Sequence, residues 1–171
     1  MCLSVCVCKM LGDKQLVLSR LDYCNGLLSR CPQYLIERLQ KVQNNAARLV
    51  LKGRKYDHVS PLLHSLHWLP ISSRVQYKIS SLTYTALFDS GPIYLSNILR
   101  TPTPTRTLRS SADSRTLVLP PNYNTKSFGF RRFTHQSPHF WNMLPHSVHH
   151  SPSPQSLKSS LKTHLFRNAY A

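Results

Sequence analysis

Acidic side chains are scarce in this chain: six Asp and Glu stand among 171 residues, against 22 Lys and Arg. No two acids lie closer than nine positions. Metal-assisted phosphoryl transfer holds its cations with clustered carboxylates, and the local sequence offers no such cluster. Glycine is also sparse, five residues in all, and no G-x-x-x-x-G-K phosphate loop is present. Cysteine stops at Cys31. The five thiols, Cys2, Cys6, Cys8, Cys24 and Cys31, are odd in number and lack the paired C-x2-C spacing of a zinc site. They cannot staple the later chain, and reduced thiols in an intracellular protein, nuclear or cytoplasmic and not secreted, are the expectation. The opening MCLSVCVCKML is apolar but short, with no basic n-region and no clear cleavage site. No run approaches the roughly 20 apolar residues of a membrane span. Neither a membrane contact nor a cofactor is expected.

Positive charge is what the chain has in excess. The net charge is +16 and the pI about 10.2. Ten of the basic residues but a single acid fall after Leu99. A field of one sign concentrates polyanions, of which nucleic acid is the commonest.

Hydrophobic spacing predicts a mainly α fold, with a small antiparallel helical bundle over residues 1–100. Residues 14–28 carry Leu16, Leu18, Leu21, Leu27 and Leu28 in a loose helical pattern, weakened by Gly26. The strongest helix runs from Pro32 to Lys52. Pro32 suits the first helical position. Leu35, Leu39, Val42, Ala46 and Leu49 then recur at helical spacing, widened by Ile36 and Val50, with Gly53 as the stop. Ser60-Pro61 opens a short helix that ends near Pro70. Ser72 or Ser73 caps the next, whose stripe is Val75, Ile79, Leu82, Ala86 and Leu87 and whose end is Gly91-Pro92. Pro92 opens a further short run, PIYLSNIL. Within this region LHWLPISSRVQYK (Leu66 to Lys78) reads as a corner between two helices, anchored by Trp68 and Leu69.

Residues 101–171 form a second, basic Pro/Ser-rich region. TPTPTRTLRSS is an extended linker. RTLVLPP and KSFGFRRFTHQ are the two candidate strands of a short β-hairpin, the first limited to an edge by Pro120 and Pro121. SPHFWNMLP reads as a tight aromatic turn. Ser153 and Pro154 then start a C-terminal amphipathic helix with Leu157, Leu161 and Leu165 on one face and Lys158 and Lys162 beside them. His146, His149 and His150 form H-x2-H-H between prolines, with no acid or Cys near, which points to a solvated loop rather than a metal site. His64 and His67 have no third ligand nearby and read as surface or packed imidazoles.

Residues 93–171 carry an alternative, an RNA-recognition-type module. Lys126, Phe128, Gly129, Phe130 and Phe133 match its longer signature, whose aromatics stack on bases, and IYLSNI resembles the shorter one. The intervening RTPTPTRTLRSSADSRTLVLPPNYNT does not supply the helix and second strand that the module needs there.

Six segments, SRLDYCNGLL, LQKVQNNAARLVL, DHVSPLLHSLHWLPISSRVQYKI, GPIYLSNIL, PHFWNMLP and SLKSSLKTHLF, occur in one order between Ser19 and Phe166. Together they resemble the C-terminal end of the reverse transcriptase of LINE-type, non-LTR retrotransposons of the jockey-like kind. The resemblance implies that the helical part is thumb-like and that it once gripped template and primer. The parent family is an RNA-directed DNA polymerase. Its aromatic-x-Asp-Asp turn has no counterpart here, because no two Asp are adjacent. The first 14 residues also depart from the family pattern. The expected protein is therefore a non-catalytic remnant that binds RNA or DNA backbone without sequence preference. The expected phosphate contacts are Arg54, Lys55, Arg74, Lys78, Arg106, Arg109, Arg131, Arg132, Lys158 and Lys162. The alternative is a protein-interaction fragment whose apolar stripes meet the missing upstream polymerase palm.

Overall fold

The computed structural model describes residues 16–88, 91–102, 115–121 and 129–170. The chain is mainly helical. Residues 16–22 form α1, and a 3-10 turn follows at Asn25–Leu28. The remaining helices are α2 (Gln33–Leu51), α3 (Val59–Ser65), α4 (Ile71–Leu87), α5 (Ile93–Ser96), α6 (Phe133–Asn142), α7 (His146–His149) and α8 (Pro154–Tyr170). The chain divides into two compact units, one running to Val75 and taking in the chain from Leu165, the other Gln76–His164. The division falls within α4 and α8, not at residue 100 where the composition changes. No described helix is long and apolar enough to cross a membrane.

In the first unit, α2 is a helix as expected, but it is rotated about its axis. Its buried residues are Gln43, Ala47 and Val50. Val42 and Leu49, counted on the apolar stripe from spacing, are 54% and 79% exposed. The cause is a polar demand from another segment. Gln43 Nε2 donates to the Leu69 carbonyl at 2.8 Å, and Gln40 Oε1 accepts the Ile71 N–H at 3.0 Å. These two backbone groups flank Pro70, where the chain turns from α3 into α4. Unpaired, each would carry a desolvation cost. Gln40 thereby supplies the cap of α4, in place of the expected Ser72 or Ser73, and the helix begins at Ile71. Ala47, Val50, Leu63 and Trp68 form the core of this unit, flanked by Leu18, Val59, Leu62 and Tyr170. Tyr170 donates its hydroxyl to the Trp68 carbonyl at 2.6 Å, and Phe166 lies flat against His67 at 5.7 Å between ring centres. LHWLPISSRVQYK is thus a packed corner, as read from sequence.

α2 ends in a Schellman arrangement: Gly53 N–H donates to the Arg48 carbonyl and Lys52 N–H to that of Leu49. The left-handed residue is Lys52, at φ 53°, and not the expected Gly53. Gly53 instead serves close approach. A β-carbon there would stand 3.3 Å from Asp57 Oδ2 and 3.4 Å from Leu62 Cδ1. His67 occupies the same kind of left-handed position after α3.

The second unit is built round Trp141, which is fully buried. Its indole N–H donates to the Arg115 carbonyl at 2.7 Å. His149 stacks on it with ring centres 4.8 Å apart and places Nε2 2.9 Å from the Trp141 carbonyl. A carbonyl only accepts, so Nε2 carries the proton. The expected solvated histidine loop is overturned at His149: burial on Trp141 recruits it, and residues 146–149 form the turn α7. Thr83 and Ser137 share a hydrogen bond of 2.6 Å, and Tyr84 donates to the Ser151 carbonyl at 3.0 Å.

No strand is present among the described residues, and the expected hairpin is corrected on both sides. Residues 115–121 form no regular element, and a side chain pairs with Leu117 where a partner strand was expected. Asn142 accepts the Leu117 N–H and donates to the Leu117 carbonyl, both at 2.9 Å. The other candidate strand, so far as it is described, is a 3-10 turn at Gly129–Arg131 leading into α6. Lys126 and Phe128 lie outside the described residues. The expected aromatic turn SPHFWNMLP is mostly α6, which carries Pro138 in its interior. That proline costs a helical hydrogen bond. Burial of Gln136, Ser137, Pro138 and Trp141 on one face holds the helix together regardless. The RNA-recognition reading loses its strands here, because Ile93–Ser96 and Gly129–Arg131 are both helical. α4 keeps Val75, Ile79 and Ala86 of its expected stripe, but Leu82 is 37% exposed and the helix stops at Leu87. α8 follows its sequence closely. Ser153 Oγ caps the Ser156 N–H at 3.2 Å, and Leu157, Leu161 and Leu165 are buried.

Candidate nucleic-acid interface

The C-terminal end of α2 concentrates cations. One helical turn separates Arg48 from Lys52, and the Schellman cap reverses the chain so that Lys55 returns beside them. Together with Asn45, Leu49 and Gly53 these side chains line an open cleft of about 390 Å³. Among the described residues no carboxylate lines it. Arg48 is positioned by hydrogen bonds to Asn45 Oδ1 and to the Asp57 carbonyl. The nearby carboxylate, Asp57, is spent on the loop: its Oδ2 accepts the Arg54 N–H at 2.6 Å. The Arg54 side chain is exposed, as is Lys55, whose ammonium lies 5.6 Å from the centre of the Tyr56 ring. Tyr56 itself is 87% exposed. Cations here lie at the negative end of the α2 dipole, a stabilising placement. A basic groove beside an exposed aromatic ring is the arrangement that tracks single-stranded backbone and stacks a base.

Of the ten residues expected to contact phosphate, Lys55 lies in this cleft and Arg54 follows its glycine. Lys78 on α4 and Lys158 and Lys162 on α8 are exposed on their helices. Arg132 is exposed, while Arg131 is half-buried. Arg106 and Arg109 lie outside the described residues. Arg74 is a correction. Its Nε and Nη2 donate to Asp22 Oδ1 and Oδ2 at 2.8 and 2.5 Å, and its side chain is 13% exposed. The ion pair occupies the guanidinium fork, so Arg74 holds α1 against the start of α4 instead of facing a ligand. No spacing rule reaches a partner 52 residues away.

Sequence reasoning missed Arg48, Lys52 and Arg100. For the first two a signal existed. They sit one turn apart immediately before Arg54-Lys55, so a helix stop at residue 52 folds four cations into one neighbourhood. Arg100 is isolated in sequence and gave none. Among the described residues no group of three His, Cys, Asp or Glu side chains could hold a metal ion. No protein-family model, curated protein or solved structure matches this chain.

Proposed function

We propose that this chain is a non-catalytic remnant of the reverse transcriptase of a LINE-type retrotransposon, retaining non-specific binding of RNA or DNA backbone. The observation that carries the binding reading is the cleft of Arg48, Lys52 and Lys55, with no carboxylate among its described lining residues, beside exposed Arg54 and Tyr56. The family origin is supported by the six ordered sequence segments, and the non-catalytic reading by the absence of any adjacent Asp pair. Such a remnant would act inside the cell, in nucleus or cytoplasm, where its polyanion is found.

Backbone binding releases counterions, so affinity for a single strand falls with salt by about 0.7 logarithmic units per phosphate contact. Fluorescence anisotropy with a labelled single-stranded RNA and its DNA equivalent, titrated across salt, measures that slope. The double variant Lys52→Glu, Lys55→Glu should flatten it by about 1.4 for the two contacts removed. An affinity that stays constant between low and physiological salt overturns the proposal.

A second reading has its own observation. Tyr34, Val42 and Leu49 are 60%, 54% and 79% exposed on the outer side of α2. In this reading the chain is a protein-interaction fragment whose apolar face met a polymerase palm. It predicts concentration-dependent association of the isolated chain, and a monodisperse monomer by light scattering excludes it.

A further inference from the structure

The second unit contains a recess unconnected with the α2 cleft. Its volume is about 240 Å³. Its apolar lining is Ile98, Val118, Pro120, Pro121 and Pro138, and its polar lining Arg100, Arg132, Thr134 and His135. The walls come together for reasons already visible. Val118 N–H donates to the Arg100 carbonyl at 2.8 Å, tying the segment 115–121 to the chain after α5. Arg132 immediately precedes α6, and its carbonyl accepts the N–H groups of His135 and Gln136.

Three features of this recess point to one kind of ligand. Both guanidinium groups are exposed residues without a hydrogen bond or ion pair to another described residue, in a unit whose described residues include no Asp or Glu. Two cations lining one recess, with no carboxylate among the described residues of the unit, repel one another, and an anion relieves that repulsion. Two guanidinium charges match a phosphomonoester, which carries between one and two negative charges near neutrality, better than they match a singly charged diester. The Thr134 hydroxyl and His135 ring add hydrogen-bonding capacity to the same lining. The proline and aliphatic carbons of the lining offer a non-polar surface to a planar ring. The volume lies below the range of drug-sized pockets, which limits the occupant to one small unit.

We infer that this recess is a subsite for a single nucleotide phosphomonoester, its phosphoryl group held between Arg100 and Arg132 and its base laid against the apolar lining. The inference goes beyond backbone binding, because it concerns a terminal or free phosphate and a different set of residues. The nucleotide has two possible sources, the phosphorylated end of a strand and a free nucleoside monophosphate.

The full-length chain is tested with a short single strand carrying either a 5′-phosphate or a 5′-hydroxyl, and with adenosine monophosphate, inorganic phosphate and a phosphoserine peptide as competitors. The 5′-phosphate should tighten binding about tenfold through charge-assisted hydrogen bonds. Arg100→Ala with Arg132→Ala should abolish that difference, and Arg→Lys at both positions should restore only part of it, since the ammonium keeps the charge but loses the fork. Lys52→Glu with Lys55→Glu should leave the difference intact while lowering overall affinity, which separates this site from the cleft. Competition by adenosine monophosphate identifies a free nucleotide as a ligand. Discrimination between strand ends without such competition identifies a strand terminus. Equal affinity for the two strand ends together with no competition by adenosine monophosphate overturns the inference. So does competition by inorganic phosphate or the phosphoserine peptide as strong as that by the nucleotide, because the apolar lining then contributes nothing.

Discussion

Lys52 holds a left-handed backbone conformation that costs a residue with a β-carbon about 1–2 kcal/mol, while the glycine beside it does not use its freedom. The same lysine lines the cationic cleft. Lys52→Gly therefore has two effects of opposite sign. Chemical denaturation should show a gain of about 1 kcal/mol from relief of the cap, and anisotropy should show weaker strand binding from loss of the cation. A variant that gains stability and keeps its full affinity would remove Lys52 from the interface. His149 makes a second prediction at this scale. Burial on Trp141 lowers its pKa below 6.5, assisted by the neighbouring charges of His150, His146 and Arg115 and opposed by the hydrogen bond to the Trp141 carbonyl. The unfolded chain then binds the proton more readily than the folded one. Stability is complete above about pH 6.5 and declines as pH falls through the lowered value. Urea midpoints measured across that range should drop for the native chain and drop less for His149→Phe, which has no proton to gain.

At the scale of the helices, Gln43 is the side chain on which the corner after α3 depends. It is fully buried, and its amide meets the Leu69 carbonyl. Gln43→Leu fits the volume but leaves that carbonyl unpaired, and should destabilise the chain by about 1–3 kcal/mol in chemical denaturation. An unchanged midpoint would mean that the corner finds other partners. The same residue explains what periodicity could and could not reveal. α8 was legible in full, because its cap and its leucines are local and nothing distant competes for that face. α2 was legible as a helix but not in its orientation, because the choice between Gln43 and Val42 is made by a backbone group 26 residues later. α6 was not legible. Its interior proline argues against a helix, and only the burial of Trp141 and its neighbours outweighs that. Among the candidate binding residues, the cations were plain from composition. Their sorting was not: Arg74 faces an aspartate from α1, and Arg48 joins the cleft only because the chain reverses at Lys52.

The whole molecule carries +16 with its histidines neutral. Like charges at that density repel one another in the compact state. Added sodium chloride should raise the melting temperature of the free chain, followed by circular dichroism, because screening relieves the repulsion. A bound single strand should also raise it, and that increment should shrink as salt increases, since the strand is released. If salt lowers the melting temperature of the free chain, the basic residues are already balanced by their neighbours and the polyanion reading loses its physical basis.

Gln40 stands 31 residues before the Ile71 N–H that it caps. A chain made from its N-terminus onward therefore holds the capping side chain, on α2, before the first residue of α4 has been synthesised. The start of α4 has no hydrogen-bonded cap from its own serines, so its first turn gains one only on meeting a finished α2. Helix formation in this part of the molecule is therefore expected to follow the order of synthesis. A circular permutant that delivers α2 last should reach the same structure more slowly.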